Sequence, residues 1–200
     1  NQRRDWGEPE LIASMVRKAM QDHPVDPSRI YVAGLSAGGA MTALMARNYP
    51  DLFAAAAIHA GLPPGAATSI PGAFSAMRRG ARGTPLPAGH PPVPVLVLQG
   101  DRDETVHPDN GLNTIQAMLP SDCSSVEQRI STPGRDVTLT RYLTPGGSIA
   151  GELWLVHGLG HAWSGGHPSG SYTDPVGPNA SDESLRFFRQ YVNPRSRSAR

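Results

Sequence analysis

Arg29-Ile30-Tyr31-Val32-Ala33 runs directly into Gly34-Leu35-Ser36-Ala37-Gly38-Gly39 and then into Ala40-Met41-Thr42-Ala43-Leu44-Met45-Ala46-Arg47. The three pieces read as a short buried strand, a G-x-S-x-G turn and an apolar helix. Such a turn holds its serine in a strained backbone conformation, so the hydroxyl stands exposed at the end of a sheet. Side chains at positions 34 and 38 are expected to collide where strand and helix meet, which makes both glycines steric requirements. The helix N-terminus aims unpaired N–H groups at the same spot, a setting suited to a developing negative oxygen. The pattern alone is common by chance. Its place between a β-rich run and an apolar helix makes Ser36 a candidate nucleophile.

Working outward, Glu8 to His23 carries Leu11, Ile12, Met15, Val16, Ala19 and Met20 at helical spacing, with Pro9 in the first turn and His23-Pro24 as the stop. The helix after Ser36 ends near Asn48-Tyr49-Pro50. Phe53–His59 and Pro94–Gly100 are apolar on both faces and read as buried parallel strands. Asn110–Leu119 reads as the helix that follows. Val137–Leu143 and Ile149–Val156 flank Thr144-Pro145-Gly146-Gly147-Ser148, as an antiparallel pair or a strand with an irregular connection. A last helix is expected from about Ser181 to Val192, capped by Asn179 or Ser181. Gly61–Pro92 is rich in Pro, Gly and Ala, with one helical stretch near Ala73–Arg79; it reads as a lid or as a connecting loop.

Alternation of strands and helices predicts an α/β domain with a mainly parallel sheet and flanking helices, spanning residues 1–192. Ligands of such sheets sit at the carboxyl ends of the strands. Residues 193–200 are basic, lack a strong apolar pattern and are expected to be a disordered tail. A formal net charge of +1, with 38% hydrophobic and 18% charged residues, gives no electrostatic case for a nucleic-acid partner. The longest apolar run, Leu52–Ile58, is too short to span a bilayer. A single cysteine, Cys123, excludes an internal disulfide framework. The oligomeric state is not written in these features.

A serine hydroxyl needs a base, and the base needs an orienting carboxylate. On this fold the chain order is Ser, acid, His. Gly100-Asp101-Arg102-Asp103-Glu104-Thr105-Val106 follows a strand and offers Asp101, Asp103 and Glu104. The spacing Gly-x-x-Asp-x-x-Val selects Asp103 as the acid facing the site, with Asp101 as the runner-up. For the base, Gly158-Leu159-Gly160-His161-Ala162-Trp163 follows the strand ending at Val156, and its glycines let His161 turn back toward Ser36. His107, His157 and His167 compete. His157 and His161 are spaced by four, but Gly158 and Gly160 oppose the helix that would put them on one face. With no H-E-x-x-H or C-x-x-C pattern, neither a metal nor any other cofactor is expected. Trp154, Trp163 and Tyr172 are candidates for an apolar acyl or aromatic pocket, or for core filling.

Val25–Met41 resembles the elbow of the polyhydroxybutyrate depolymerase-type esterases, relatives of feruloyl and acetyl xylan esterases in the α/β-hydrolase superfamily. The resemblance continues at Gly100–Val106, at Gly158–Gly166, and from Gly170-Ser171-Tyr172-Thr173-Asp174-Pro175 to Gly177-Pro178-Asn179-Ala180. It implies Ser36 as nucleophile, Asp103 as acid, His161 as base and the Ala37 N–H as an oxyanion donor. The implied reaction is hydrolysis of a carboxylic ester or polyester through an acyl-enzyme, in a secreted setting. Two departures stand out. Gln99 occupies a position where the family has His, and little effect is expected. No His-Gly pair precedes Ser36, so the loop that supplies the second oxyanion donor is not found, a loss worth roughly 10²–10³ in rate. The chain is accordingly expected to be the C-terminal part of such an esterase, with sheet strands belonging upstream. Rival readings are a serine peptidase of the same fold and a non-catalytic binding module.

Overall fold

The order of strands in the central sheet is β1-β2-β3-β6-β5-β4 in this computed structural model, which describes residues 3–198. Strands β1 (Tyr31–Leu35), β2 (Ala55–His59), β3 (Val95–Gly100) and β6 (Ile149–Val156) run parallel, whereas β5 (Arg135–Leu143) and β4 (Ser124–Thr132) complete the sheet antiparallel. Helices α1 (Gly7–Asp22), α2 (Ala37–Asn48), α3 (Ile70–Arg79), α4 (Asp109–Met118) and α5 (Ala180–Phe188) connect or flank the strands. Two residue pairs, β7 (Trp163–Ser164) and β8 (Thr173–Asp174), form a separate small ladder.

The apolar strands alternate between two cores, as a period of two requires. Ala56, Ile58, Val95 and Val97 face Ala43 and Ala46 of α2 and Ile115 and Met118 of α4. Ala55, Ala57, Leu96 and Leu98 face Phe187 and Phe188 of α5 on the other side. A third cluster joins Ala13 of α1 to Met45, Tyr49, Leu52 and Phe53. Leu11 and Met15 of α1 stay exposed.

Several elements differ from the sequence expectation. Strand β1 is only partly buried, and Ala33 is exposed, because β1 is the edge of the described sheet with β2 as its one partner there. Strand β4 was not expected. Most of its side chains are exposed on both faces, so no hydrophobic period marks it, and it is held by its long ladder with β5. In the Gly61–Pro92 segment, α3 begins three residues before the expected stretch, where the Ser69 hydroxyl accepts from the Gly72 N–H. Helix α5 is capped by Asn179, which accepts from the N–H groups of Ser181 and Asp182, and it stops at Phe188 rather than Val192.

The segment expected to be a tail is described as far as residue 198. Pro194–Ser198 forms a 3-10 turn, and Asn193 is buried. The Asn193 amide donates to the carbonyls of Pro50 and Phe53, and its backbone N–H donates to Ser28. These side-chain-to-backbone bonds anchor a segment that has no apolar pattern to announce it. Residues 199 and 200 lie outside the described residues.

Candidate active site

Ser36 lies between β1 and α2 with φ 58° and ψ −118°, a left-handed backbone that a residue with a side chain rarely adopts. The Ser36 N–H donates to the carbonyl of His59 at 2.9 Å, and the Ser36 carbonyl accepts from Ala40 at 2.9 Å. The turn is therefore pinned to the end of β2 on one side and to the first turn of α2 on the other. Gly34 is a steric requirement: a Cβ there would stand 2.4 Å from the Gly38 carbonyl carbon and 2.9 Å from Thr42 Oγ1. Gly38 is not, since a Cβ on it would meet nothing within 4 Å. The tight approach runs through Gly39 instead, where a Cβ would sit 2.8 Å from the His59 carbonyl oxygen. Ala37 opens α2, so its N–H lacks an intrahelical partner.

The turn after β3 carries two carboxylates with different partners. Asp103 is buried and accepts four times: from Thr105 N–H (2.9 Å) and Val106 N–H (2.8 Å) at Oδ1, and from His161 Nδ1 (2.8 Å) and Gln99 Nε2 (3.3 Å) at Oδ2. Its side chain is fully shielded and that of His161 nearly so, at 11% exposure. Asp101 instead meets His157 Nδ1 at 2.8 Å and the Gly158 N–H at 2.7 Å. Burial works against its charge, but the bonds from His157 and Gly158 outweigh it and hold the carboxyl below its usual range. Glu104 is exposed.

His157 also meets Thr138 Oγ1 at 2.9 Å, so the Asp101–His157 pair braces the end of β6 against β5. His107 lies half-exposed beside Asp109, and His167 closes a local turn with Ser169. Of the four candidate histidines, only His161 faces a buried carboxylate.

Gln99, at the position where the family has His, makes several contacts. It is fully buried, and its amide donates to Asp103 Oδ2 and to the carbonyls of Gly100 and Val106. The residue thus helps fix the Asp103 carboxylate. The aromatic candidates separate. Trp154 is core, packed opposite α5 with its indole N–H on Glu152. Trp163 is half-buried, tilted against the His59 ring at 5.3 Å, and donates from Nε1 to Ser181 Oγ. Tyr172 is 73% exposed, with φ 55°, and its carbonyl accepts from the Trp163 N–H. One helical turn from Ser36, a cavity of about 110 Å³ lies between α2 and the segment after β2, lined by Ala40, Leu44, Leu62, Pro63, Ala67 and Ala73 among others.

His59 had no place among the candidate histidines. It is 1% exposed, and burial pushes its imidazole down to about 4, against the raising effect of the Asp103 charge and with a further lowering from His161. It ends an apolar strand, and a single polar residue in such a run reads as part of the core. The only hint was its position at the carboxyl end of β2.

The parallel strands, their flanking helices and the serine at a strained strand–helix turn define an α/β-hydrolase fold. Residues 4–121 match the family described as Esterase PHB depolymerase, and the chain belongs to that family. A poly(3-hydroxyalkanoate) depolymerase C of Paucimonas lemoignei is 34% identical over 169 residues, covering 79% of this chain and 41% of that protein. An acetylxylan esterase of Coprinopsis cinerea is 50% identical over 54 residues, covering 27% of this chain and 14% of that one. The chain thus spans less than half the length of these relatives. Among solved structures, an acetyl xylan esterase from Aspergillus awamori superposes with TM-score 0.65 at 21% identity, covering 94% of this chain and 69% of that one, which supports the fold.

Proposed function

We propose that this chain carries the relay of a serine carboxylic-ester hydrolase acting on short hydroxyacyl esters or a polyester. The observation that carries the reading is the buried Asp103–His161 pair, 2.8 Å apart, which follows the carboxyl ends of parallel strands as the strained Ser36 turn does. In this reading Ser36 Oγ forms a bond to the ester carbonyl carbon while His161 Nε2 accepts the hydroxyl proton. The carbonyl electron pair moves onto oxygen, where the Ala37 N–H stabilises it. Collapse breaks the C–O bond, and the leaving alcohol takes the proton from His161. Water then repeats the cycle on the acyl-enzyme and frees Ser36. Asp103 holds the imidazole with its proton on Nδ1. No second oxyanion donor is identified among the described residues.

Tyr172, exposed and joined to Trp163 through the backbone, belongs to this reading as a substrate contact, with Trp163 as the wall behind it. The extracellular setting implied by the resemblance belongs to it too. Among the described residues no helix is long and apolar enough to cross a membrane. A second reading, an acetyl or feruloyl ester as substrate, is favoured by the short stretch shared with the acetylxylan esterase. Hydrolysis of p-nitrophenyl butyrate, hydroxybutyrate oligomers and acetylated xylan by one preparation separates the two readings. Ser36→Ala is expected to abolish all of these activities. Turnover undiminished in that variant would end the serine mechanism.

A further inference from the structure

We propose that His59 is a positioning residue that sets the spacing between Ser36 and His161, through its carbonyl on one side and its ring on the other. The inference rests on the serine relay proposed above. The elbow and the base loop come from chain segments more than a hundred residues apart, and each is bonded to this one residue. The His59 carbonyl accepts the Ser36 N–H at 2.9 Å, and Gly39 packs directly on that oxygen. The His59 ring accepts the Ser164 N–H at Nε2, 3.2 Å away. Ser164 lies three residues past His161 and is itself fixed, since its hydroxyl donates to the Pro178 carbonyl at 2.7 Å. Trp163 covers the ring at 5.3 Å, with the planes 31° apart, which fixes the ring's orientation.

The chemistry of the imidazole is defined by these partners. A backbone N–H can only donate, so Nε2 presents its lone pair and the neutral ring carries its proton on Nδ1. That Nδ1 is buried and has no hydrogen-bond partner among the described residues. A strand that is otherwise alanine and isoleucine thus retains a polar ring with one unpaired donor, a cost an aliphatic residue would avoid. What the histidine adds over an aliphatic residue is the acceptor aimed at the base loop. The Asp103 charge favours a proton on this ring and the His161 ring opposes one.

The test compares His59→Gln, whose Oε1 can accept at the place of Nε2, with His59→Leu, which keeps bulk and removes the acceptor. Because a displacement of about 1 Å can cost about 10²-fold in rate, His59→Leu is expected to lower kcat for p-nitrophenyl butyrate about 10- to 100-fold, with KM within about twofold. His59→Gln is expected to recover kcat to within about threefold of the parent. The low-field proton resonance of the His161–Asp103 bond should persist in the Gln variant and broaden in the Leu variant. Equal kcat per folded molecule in the parent and the Leu variant would overturn the proposal, as would equal losses in both variants with that resonance unchanged. If the Leu variant does not fold, His59→Asn replaces it: its amide reaches only as far as Nδ1, so kcat equal to that of the Gln variant is the overturning result. Ser36→Ala is run alongside. Activity surviving there refutes the serine relay itself, whereas a dead Ser36→Ala with an unaffected Leu variant refutes only the role of His59.

Discussion

His59 also ties the stability of the fold to pH in a window that can be worked out. Its imidazole titrates near about 4 in the folded chain, chiefly because burial opposes the charge, against an ordinary value of 6.5. Between those two values the unfolded chain binds a proton that the folded chain refuses, so stability falls as pH falls. The contribution is whole above about pH 6.5, declines below it and levels off beneath about pH 4. Linkage at about 1.4 kcal/mol per pH decade gives about 3 kcal/mol across the window, most of it gone by about pH 4.5. Urea unfolding of the parent and of His59→Gln at about pH 7 and about pH 4.5 isolates this part, because the other titrating groups are common to both. The parent is expected to lose about 2–3 kcal/mol more than the variant between the two conditions. Asp103 and His161 face the same ring, so the difference also reports their mutual field. Parallel losses, equal within about 0.5 kcal/mol, would refute the reasoning and mean that the ring is hydrated or already charged in the folded state.

Gly34→Ala is expected to destabilise by about 2 kcal/mol or more, since its Cβ would meet backbone at 2.4 Å, whereas Gly38→Ala should be neutral within about 0.5 kcal/mol; thermal melts of both decide it. Asp103→Asn should lower kcat by about three to four orders of magnitude, as loss of a relay carboxylate does, while Asp101→Asn should stay within about tenfold; if only the second variant loses turnover, the acid is Asp101. Glu152 is buried beneath half-exposed Arg141 and Arg186, so removing both arginines should cost about 3 kcal/mol or more by leaving an unpaired carboxylate. Glu152→Met should cost less, about 1–2 kcal/mol, because the arginines can turn to water and only the buried Trp154 indole N–H loses its acceptor; urea unfolding that ranks the two changes the other way overturns this.

What could be read in the sequence follows from where the physics is local. Fully buried β2 and β3 announce themselves because both faces must be apolar, and α2 does so because its glycines and apolar run follow a strand at once. Strand β4 is invisible by the same logic: its side chains are solvated on both faces, and its partner ladder is a tertiary fact. The elbow misled in one detail. The motif pairs Gly34 with Gly38, yet the close approach is made by Gly34 and Gly39, because the third residue of α2 faces the end of β2. The attachment of Asn193 has no sequence signal, because it is made by the side-chain amide rather than by an apolar stripe.

The site was legible as an order of residues but not as a means of holding them. Asp103 and His161 can be named from their loops, yet no helix or strand positions His161. Its loop is fixed by bonds between distant segments: Asp103 to His161 across 58 residues, Asp101 to His157 across 56, and His59 to Ser164 across 105. Each of these is a side chain meeting a partner that periodicity cannot bring near it. This explains why two neighbouring Asp–His pairs, which the sequence ranks only by turn spacing and flanking glycines, separate so plainly in the structure. One is half-exposed and braces β6 against β5. The other is buried, held by Gln99 and the turn amides, and lies beside a neutral histidine that also grips the Ser36 turn. In the proposed relay the acid is shielded from water and the base loop is tied, through His59, to the backbone of Ser36, and of the two pairs Asp103–His161 has both features.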